Sequence, residues 1–349
     1  MPTTELRTVT RRHRLDPRPW LDLPRGVRGL HGPLLWSSAA MTALAVFSLG
    51  AMVVDDRTLL GESVWLKTFK FGVAFAVYGI TLAWLLSLPH KGSRATWWLG
   101  TVFAVTGALD VGFIALQAAR GTFSHFNSSD DPVNSVGQTV FASGVPGLFF
   151  ANLLIVLILS WQRLVDRPTA RAIHAGLALA VAGMALGYLM GFTGGQLVRD
   201  ANGRVVELEA GHTVLRDAPA AERAVRDAAE GMPLTHWSTI GGDLRIPHFL
   251  GLHGIQILLL ATFLLTRLAR RHAWLRPESI RAALIGVLAL AYTGLLAVTF
   301  AQAMRAQSLV HPDAATLTSY ACLTAFAVSA TLVVRRHGRR LVAEAQTAV

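Results

Sequence analysis

Apolar runs long enough to cross a lipid bilayer recur eight times along this chain, and nothing else in it narrows the fold so far. About 20 such residues wound as an α-helix span a hydrocarbon core of about 30 Å. Only helices satisfy the backbone there without closing a barrel. The expected spans are Leu34–Val54, Thr68–Leu88, Trp97–Ala119, Val140–Trp161, Ile173–Gly194, Pro247–Thr266, Ser279–Ala303 and Ala314–Val334. Hydrophobic residues at 52%, charged residues at 15% and a mean hydropathy of +0.45 exclude an ordinary soluble domain of 349 residues. The fold class is therefore all-α, a polytopic membrane protein.

The formal net charge of +11 raises the question of nucleic acid, and the distribution of the cations answers against it. They sort by membrane side. Arginines crowd the stretch before span 1, Lys91 and Arg94 follow span 2, and Arg163, Arg167 and Arg171 follow span 4. Arg267, Arg270, Arg271, Arg276 and Arg281 follow span 6, and Arg335, Arg336, Arg339 and Arg340 follow span 8. Both termini and every even-numbered connection are thus expected in the cytoplasm, with the chain in an inner membrane. Span 1 lacks a small-residue cleavage site and is expected to be an anchor. Trp20, Leu21 and Leu23 among arginines suit either a segment on the membrane surface or a flexible tail. The lone Cys322 excludes an intrachain disulfide and any Cys-x-x-Cys site.

Two segments echo each other at the ends of spans 3 and 7. Gln117-Ala118-Ala119-Arg120, followed by His125, returns as Gln302-Ala303-Met304-Arg305, followed by His311. Further matches stand at corresponding places: Gly61–Lys67 enters span 2 as Gly242–His248 enters span 6, and a Pro/Asp pair (Asp131-Pro132, Pro312-Asp313) precedes spans 4 and 8. A duplicated unit with an even number of spans inserts the same way up each time, which implies a parallel repeat. The expected organisation is a basic N-terminal segment over 1–32, four-helix units over 33–165 and 166–334, an external cap over 196–246, and a basic tail over 335–349.

In the cap, Asn202-Gly203 between apolar pairs predicts a hairpin with a two-residue turn. Asp217 is placed to cap a short helix from about Ala218 to Glu230, with Glu222–Arg226 and Arg223–Asp227 as i,i+4 pairs. The cap either shields a site or is a solvated decoration. Gly183, Gly187 and Gly191 along one face of span 5 predict close helix packing, and Pro146 predicts a kink in span 4.

The candidate site gathers at the outer ends of spans 2, 3, 6 and 7: Lys67, Lys70, Asp110, Gln117, Arg120, His125, His248, His253, Gln302, Arg305 and His311. Lysine and arginine at helix ends also snorkel to headgroups without further role. Asp110 is different, because an ionisable group at its depth costs about 2.5–3.5 kcal/mol and usually faces a partner or a cavity. Lys70 is its expected partner. Glu62, Asp55, Asp56 and Asp243 supply nearby acids. His248 and His253, about 140° apart on an ideal helix, do not share one metal unless Pro247 leaves His248 outside the helix.

Lys-x-x-Lys-Phe at Lys67, Gln-Ala-x-Arg-Gly-x-x-Ser-His-Phe-Asn at Gln117 and Gly-Gly-Asp-x-Arg-x-Pro-His-Phe-x-Gly-x-His at Gly241 together resemble a family of bacterial polytopic membrane proteins without assigned activity. The resemblance covers roughly spans 2 to 6 and brings no chemistry. Architecturally, eight spans in two four-helix units are similar to haem A synthase. That family holds haem through histidines of its even-numbered spans, whereas here span 2 offers Lys67 and Lys70, and spans 4 and 8 have no histidine. A haem or metal is left to His253 with His311 or His248.

No soluble-enzyme signature occurs. Three functions remain: binding of an anionic lipid headgroup or small anion through the outer basic residues; membrane oxidoreduction or cofactor handling through the histidines; and a structural or assembly role. Of these the first ranks highest, with no nucleic-acid partner and the oligomeric state open.

Overall fold

A computed structural model describes residues 29–162, 165–216, 227 and 231–347 of the chain. All eight expected spans are helices long and apolar enough to cross a membrane. They are α1 (Gly32–Val54), α2 (Leu66–Ser87), α3 (Ser93–Ala119), α4 (Pro132–Ser160), α5 (Arg167–Tyr188), α6 (Arg245–Leu268), α7 (Glu278–Met304) and α8 (Ala314–Thr347). Large apolar side chains such as Phe47, Ile80, Leu109, Leu154, Leu260 and Val333 stay exposed along them, as lipid-facing surfaces require.

The helices depart from the apolar runs where local chemistry extends or ends them. α4 starts eight residues before Val140, because the Asp131 carboxylate accepts from the Asn134 backbone N–H and Pro132 occupies the first turn. α5 gives way at Leu189 to a 3₁₀ turn, Leu189–Phe192, rather than continuing to Gly194. α8 runs past Val334 into the basic tail as one helix. Pro146 lies within a continuous α4.

Neighbours pair in the same order in both sets of four. In the first set α1 packs on α2 and α3, and α3 also on α2 and α4; in the second, α5 packs on α6 and α7, and α7 also on α6 and α8. The sets meet along α4–α5 and α2–α6. The largest core cluster fills that junction, with Leu82, Phe103, Ile155, Leu177 and Ile255 from five different helices.

Close backbone approach holds α5 to α6. A Cβ added at Gly183 would sit 2.5 Å from the Leu252 backbone nitrogen, and one at Gly176 would strike Ile255. Gly187 admits the His248 ring. Gly191, expected on the same face, falls in the 3₁₀ turn and a Cβ there would meet nothing within 4 Å. Its place in the stripe is therefore withdrawn.

Three small antiparallel ribbons sit at one end of the bundle: β1 (Thr58–Leu59) with β2 (Glu62–Ser63), β3 (Gln196–Arg199) with β4 (Val205–Leu208), and β5 (Thr213–Val214) with β6 (Gly242–Asp243). The β3–β4 hairpin is the expected one, but its turn is not a two-residue turn. Arg199 pairs with Val205, and the connection wraps around Asp200, whose carboxylate accepts from the Asn202 and Arg204 backbone N–H groups and pairs with the Arg204 guanidinium at 2.8 Å. Only one left-handed position is then needed, and Gly203 fills it with φ 79°. The cap helix expected over residues 218–230, with its Asp217 cap, lies outside the described residues apart from Asp227, as does the segment containing Trp20, Leu21 and Leu23.

The cap is docked onto both sets of helices. β4 exchanges backbone bonds with the α3–α4 connection, through Ser128 N–H to Glu207 O and Glu209 N–H to Phe126 O. The His236 Nε2–H donates to Leu60 O at 2.9 Å, and Gly242 lies against the Ala303 backbone at the end of α7. These contacts predict that Gly183→Leu prevents folding of the α5–α6 pair while Gly191→Ala is tolerated. Monodispersity and thermal unfolding of the two purified variants check this.

Candidate functional site

Beneath the cap, α2, α3, α4, α5 and α6 enclose a cavity of about 710 Å³. Its walls are mostly rings and branched chains: Phe71, Phe75 and Tyr78 from α2, Phe103 and Ile114 from α3, Phe141 and Phe149 from α4, Tyr188 from α5, and Phe249 and Leu252 from α6. Polar groups concentrate toward the cap. Lys67, Lys70, Asp110, His125, His248 and His253, all expected at the site, line this one space.

The remaining five do not. Gln117 and Arg120 stand behind the α3–α4 connection and brace it. The Gln117 amide donates to Phe123 O and to the Asn134 side chain, while Arg120 donates to Gln117 Oε1 and pairs with Asp131 at 2.7 Å. The braced segment presents Thr122 to Phe126 to the cavity, with Phe126 held in a left-handed backbone conformation at φ 59°. The α7–α8 connection repeats the brace. Gln302 donates to Ser308 O, Arg305 pairs with Asp313 at 3.4 Å, and Asp313 accepts from the Thr316 backbone N–H. Gln302, Arg305 and His311 lie outside the cavity wall, and His311 is exposed. The echo thus marks two structural corners, and only the first borders the site.

Two expected pairings are also corrected. Lys70 does not reach Asp110; its ammonium donates to Glu62 at 2.9 Å and to Thr235 O at 3.3 Å, both nearer the cap. Asp110 is 5% exposed, and its Oδ1 has no hydrogen-bond partner among the described residues. His248 lies inside α6, not ahead of it. Its Nδ1 stands 2.7 Å from Gly183 O, and because a carbonyl only accepts, Nδ1 carries the proton. Asp55 pairs with Arg57 and accepts from the Trp65 indole, so it orders the α1–α2 connection, while Asp56 is exposed.

The roof contains residues that spacing along the chain did not single out: Glu209, His212, Asp227, Thr235, His236, Trp237 and Arg245. They come from a cap whose sequence shows no periodicity, and nothing in its spacing or composition marked them. Arg245 is bidentate to Asp243 with a shortest approach of 2.6 Å and donates to His236 O. Asp227 accepts from Gln196 at 2.8 Å and from the His212 backbone N–H at 3.0 Å; these bonds and the nearby His212 ring hold its carboxyl well below the usual range despite burial.

The chain matches no family model, no curated protein and no solved structure. Its chemistry rests on its own geometry. Among the described residues no group of three or more His, Cys, Asp or Glu is arranged to hold a metal ion. His253 and His311, one suggested haem pair, do not share the cavity, and the Nδ1 of His248 is committed to Gly183. These side chains do not fit an axial haem pair built on His311.

Burial drives the His125 imidazole well below its ordinary 6.5, and the positive Lys67 beside it acts in the same direction. His212 is lowered as well, again chiefly by burial. Both rings are neutral at pH 7. A group whose pKa is depressed on folding stabilises the native state above its unfolded value and loses that stabilisation as the pH falls below it. The midpoint of thermal unfolding is therefore expected to drop as pH is lowered from 6.5 toward 5, and His125→Phe is expected to flatten that slope while His212 retains part of it. A wild-type midpoint that rises over that interval contradicts this reading.

Proposed function

We propose that this chain is a membrane binding protein whose cavity holds an anionic amphiphile, head group toward the cap and apolar body among the rings below. One observation carries this reading. Of the lysines and arginines on the cavity wall, Lys70 is matched by Glu62 and Arg245 by Asp243, whereas Lys67 has no hydrogen-bond or ion-pair partner among the described residues. A cation without a direct partner over an aromatic-walled space, drawn only at longer range toward Glu62 and Asp227, is open to a charge-assisted bond to phosphate or carboxylate. Neutral histidines beside it add hydrogen-bonding capacity without adding charge. The size and walls of the cavity favour a lipid-like ligand over a small inorganic anion, which has no use for the apolar depth.

The same proposal sets the membrane frame. The two sets of four helices are read as copies inserted the same way up in a bacterial inner membrane, supported by their matching pair order and by the Gln–Arg–Asp corner in each. Lys91, Arg94, Arg270 and Arg335 at the opposite ends of the helices support cytoplasmic termini and an extracytoplasmic cap. The motif resemblance fits this frame and adds no activity to it.

Decyl phosphate, titrated into the purified protein in neutral detergent and followed by tryptophan fluorescence, tests the reading, since Trp237 lines the roof. Lys67→Met is expected to weaken binding about tenfold or more, the loss of roughly 1.4 kcal/mol, with Lys67→Arg retaining most of it. Unchanged affinity in Lys67→Met overturns the proposal. Loss of folded protein in both variants favours a structural role for the cluster instead.

A further inference from the structure

Asp110 is the deepest acid in the cavity wall, and the binding mode above leaves it without a task. It sits nine residues before the end of α3 at Ala119, about 14 Å below that end, whereas Lys67 occupies the second position of α2 at the same end of the bundle. The two residues are thus separated by roughly 12 Å along the membrane normal. Its Oδ1 is pressed against α4, where a Cβ on Gly144 would come within 2.5 Å, and no side-chain donor meets that oxygen among the described residues. Nearer the cap, Glu62, Lys70, Arg245 and His248 are each bonded to the protein, whereas the deep carboxyl has an oxygen with no partner among the described residues.

An acid this deep that meets neither a basic side chain nor an amide is costly to hold in an apolar surround. Its neighbours offer it no relief. Resting on the amphiphile reading above, we propose that the ligand carries an ammonium group on its buried apolar end, and that Asp110 is the residue that selects for it. Asp110 lines the cavity, so an ammonium there supplies the missing countercharge and donates to the carboxylate, while a hydroxyl donates without bringing the charge. The ligand class is then an α,ω-bifunctional amphiphile with an anion at Lys67, an apolar spacer among the rings, and a cation at Asp110. Gly144 belongs to the same device, because only a residue without a side chain leaves the carboxylate room at the α3–α4 contact.

The test compares 10-aminodecyl phosphate with decyl phosphate and 10-hydroxydecyl phosphate on the full chain in neutral detergent. The amino compound is expected to bind the wild type at least about tenfold more tightly than decyl phosphate, with the hydroxy compound between them. Asp110→Asn is expected to erase the preference, bringing the amino compound to the affinity that decyl phosphate shows on the same variant, and Gly144→Ala to reduce it. Equal affinities in the wild type, or a preference that survives Asp110→Asn, overturns the inference; the wild-type comparison decides even if a variant fails to fold. Lys67-dependent binding of decyl phosphate with no amino preference sinks this inference alone. Failure of all three probes to bind sinks the amphiphile reading beneath it.

Discussion

In a hydrocarbon core a polar group has no water to turn to, so each must find its partner within the protein or face a cavity. The arrangement of this chain follows from that constraint. At the two helix corners, Gln117 accepts from Arg120 and Gln302 donates to Ser308 O, while each arginine pairs with the acid opening the next helix. In the interior, Tyr78 donates to Asn152 and Tyr292 to the Leu250 carbonyl. Among the charged groups that such matching leaves without a direct partner, Lys67 near the cap and Asp110 in the depth lie on the wall of a single cavity.

The cap completes that cavity by bonding to connections of both sets of helices. Strand β4 extends along the α3–α4 connection, His236 reaches the β1–β2 turn, and β6 lies against the end of α7. Each bond fixes a piece of roof over α2, α3 and α6. The alternatives of shield and decoration are thereby decided in structural terms, since Glu209, His212 and Trp237 form part of the wall itself.

Helix positions were legible because twenty-residue apolar runs leave little freedom, and they fail only where a cap or a turn overrides hydropathy. Asp131 and Pro132 start α4 early, and the 3₁₀ turn at Leu189 stops α5 short, removing Gly191 from the packing face. Half of the candidate site was legible for a related reason: polar residues inside apolar runs, such as Lys67, Asp110 and His253, have nowhere to point but inward. The echo misled for Arg305 and His311 because a motif repeated in sequence repeats its local bonds, whereas the cavity borders only the first of the two corners. The roof was not legible, because contacts between a cap strand and a distant helix corner depend on the whole fold and leave no periodic trace.

The central claim is that the space under the cap is a ligand site entered from the cap side. Ala74 lies on its wall, seven residues beyond Lys67 on the same helix, and Cys322 is the only native thiol to remove. The most direct measurement is labelling of Ala74→Cys in a Cys322→Ala background by a membrane-impermeant thiol reagent added to spheroplasts, with and without decyl phosphate. The account predicts labelling from outside that decyl phosphate blocks and Lys67→Met restores. Labelling that occurs only after the cytoplasmic side is opened, or that decyl phosphate leaves unchanged, contradicts it.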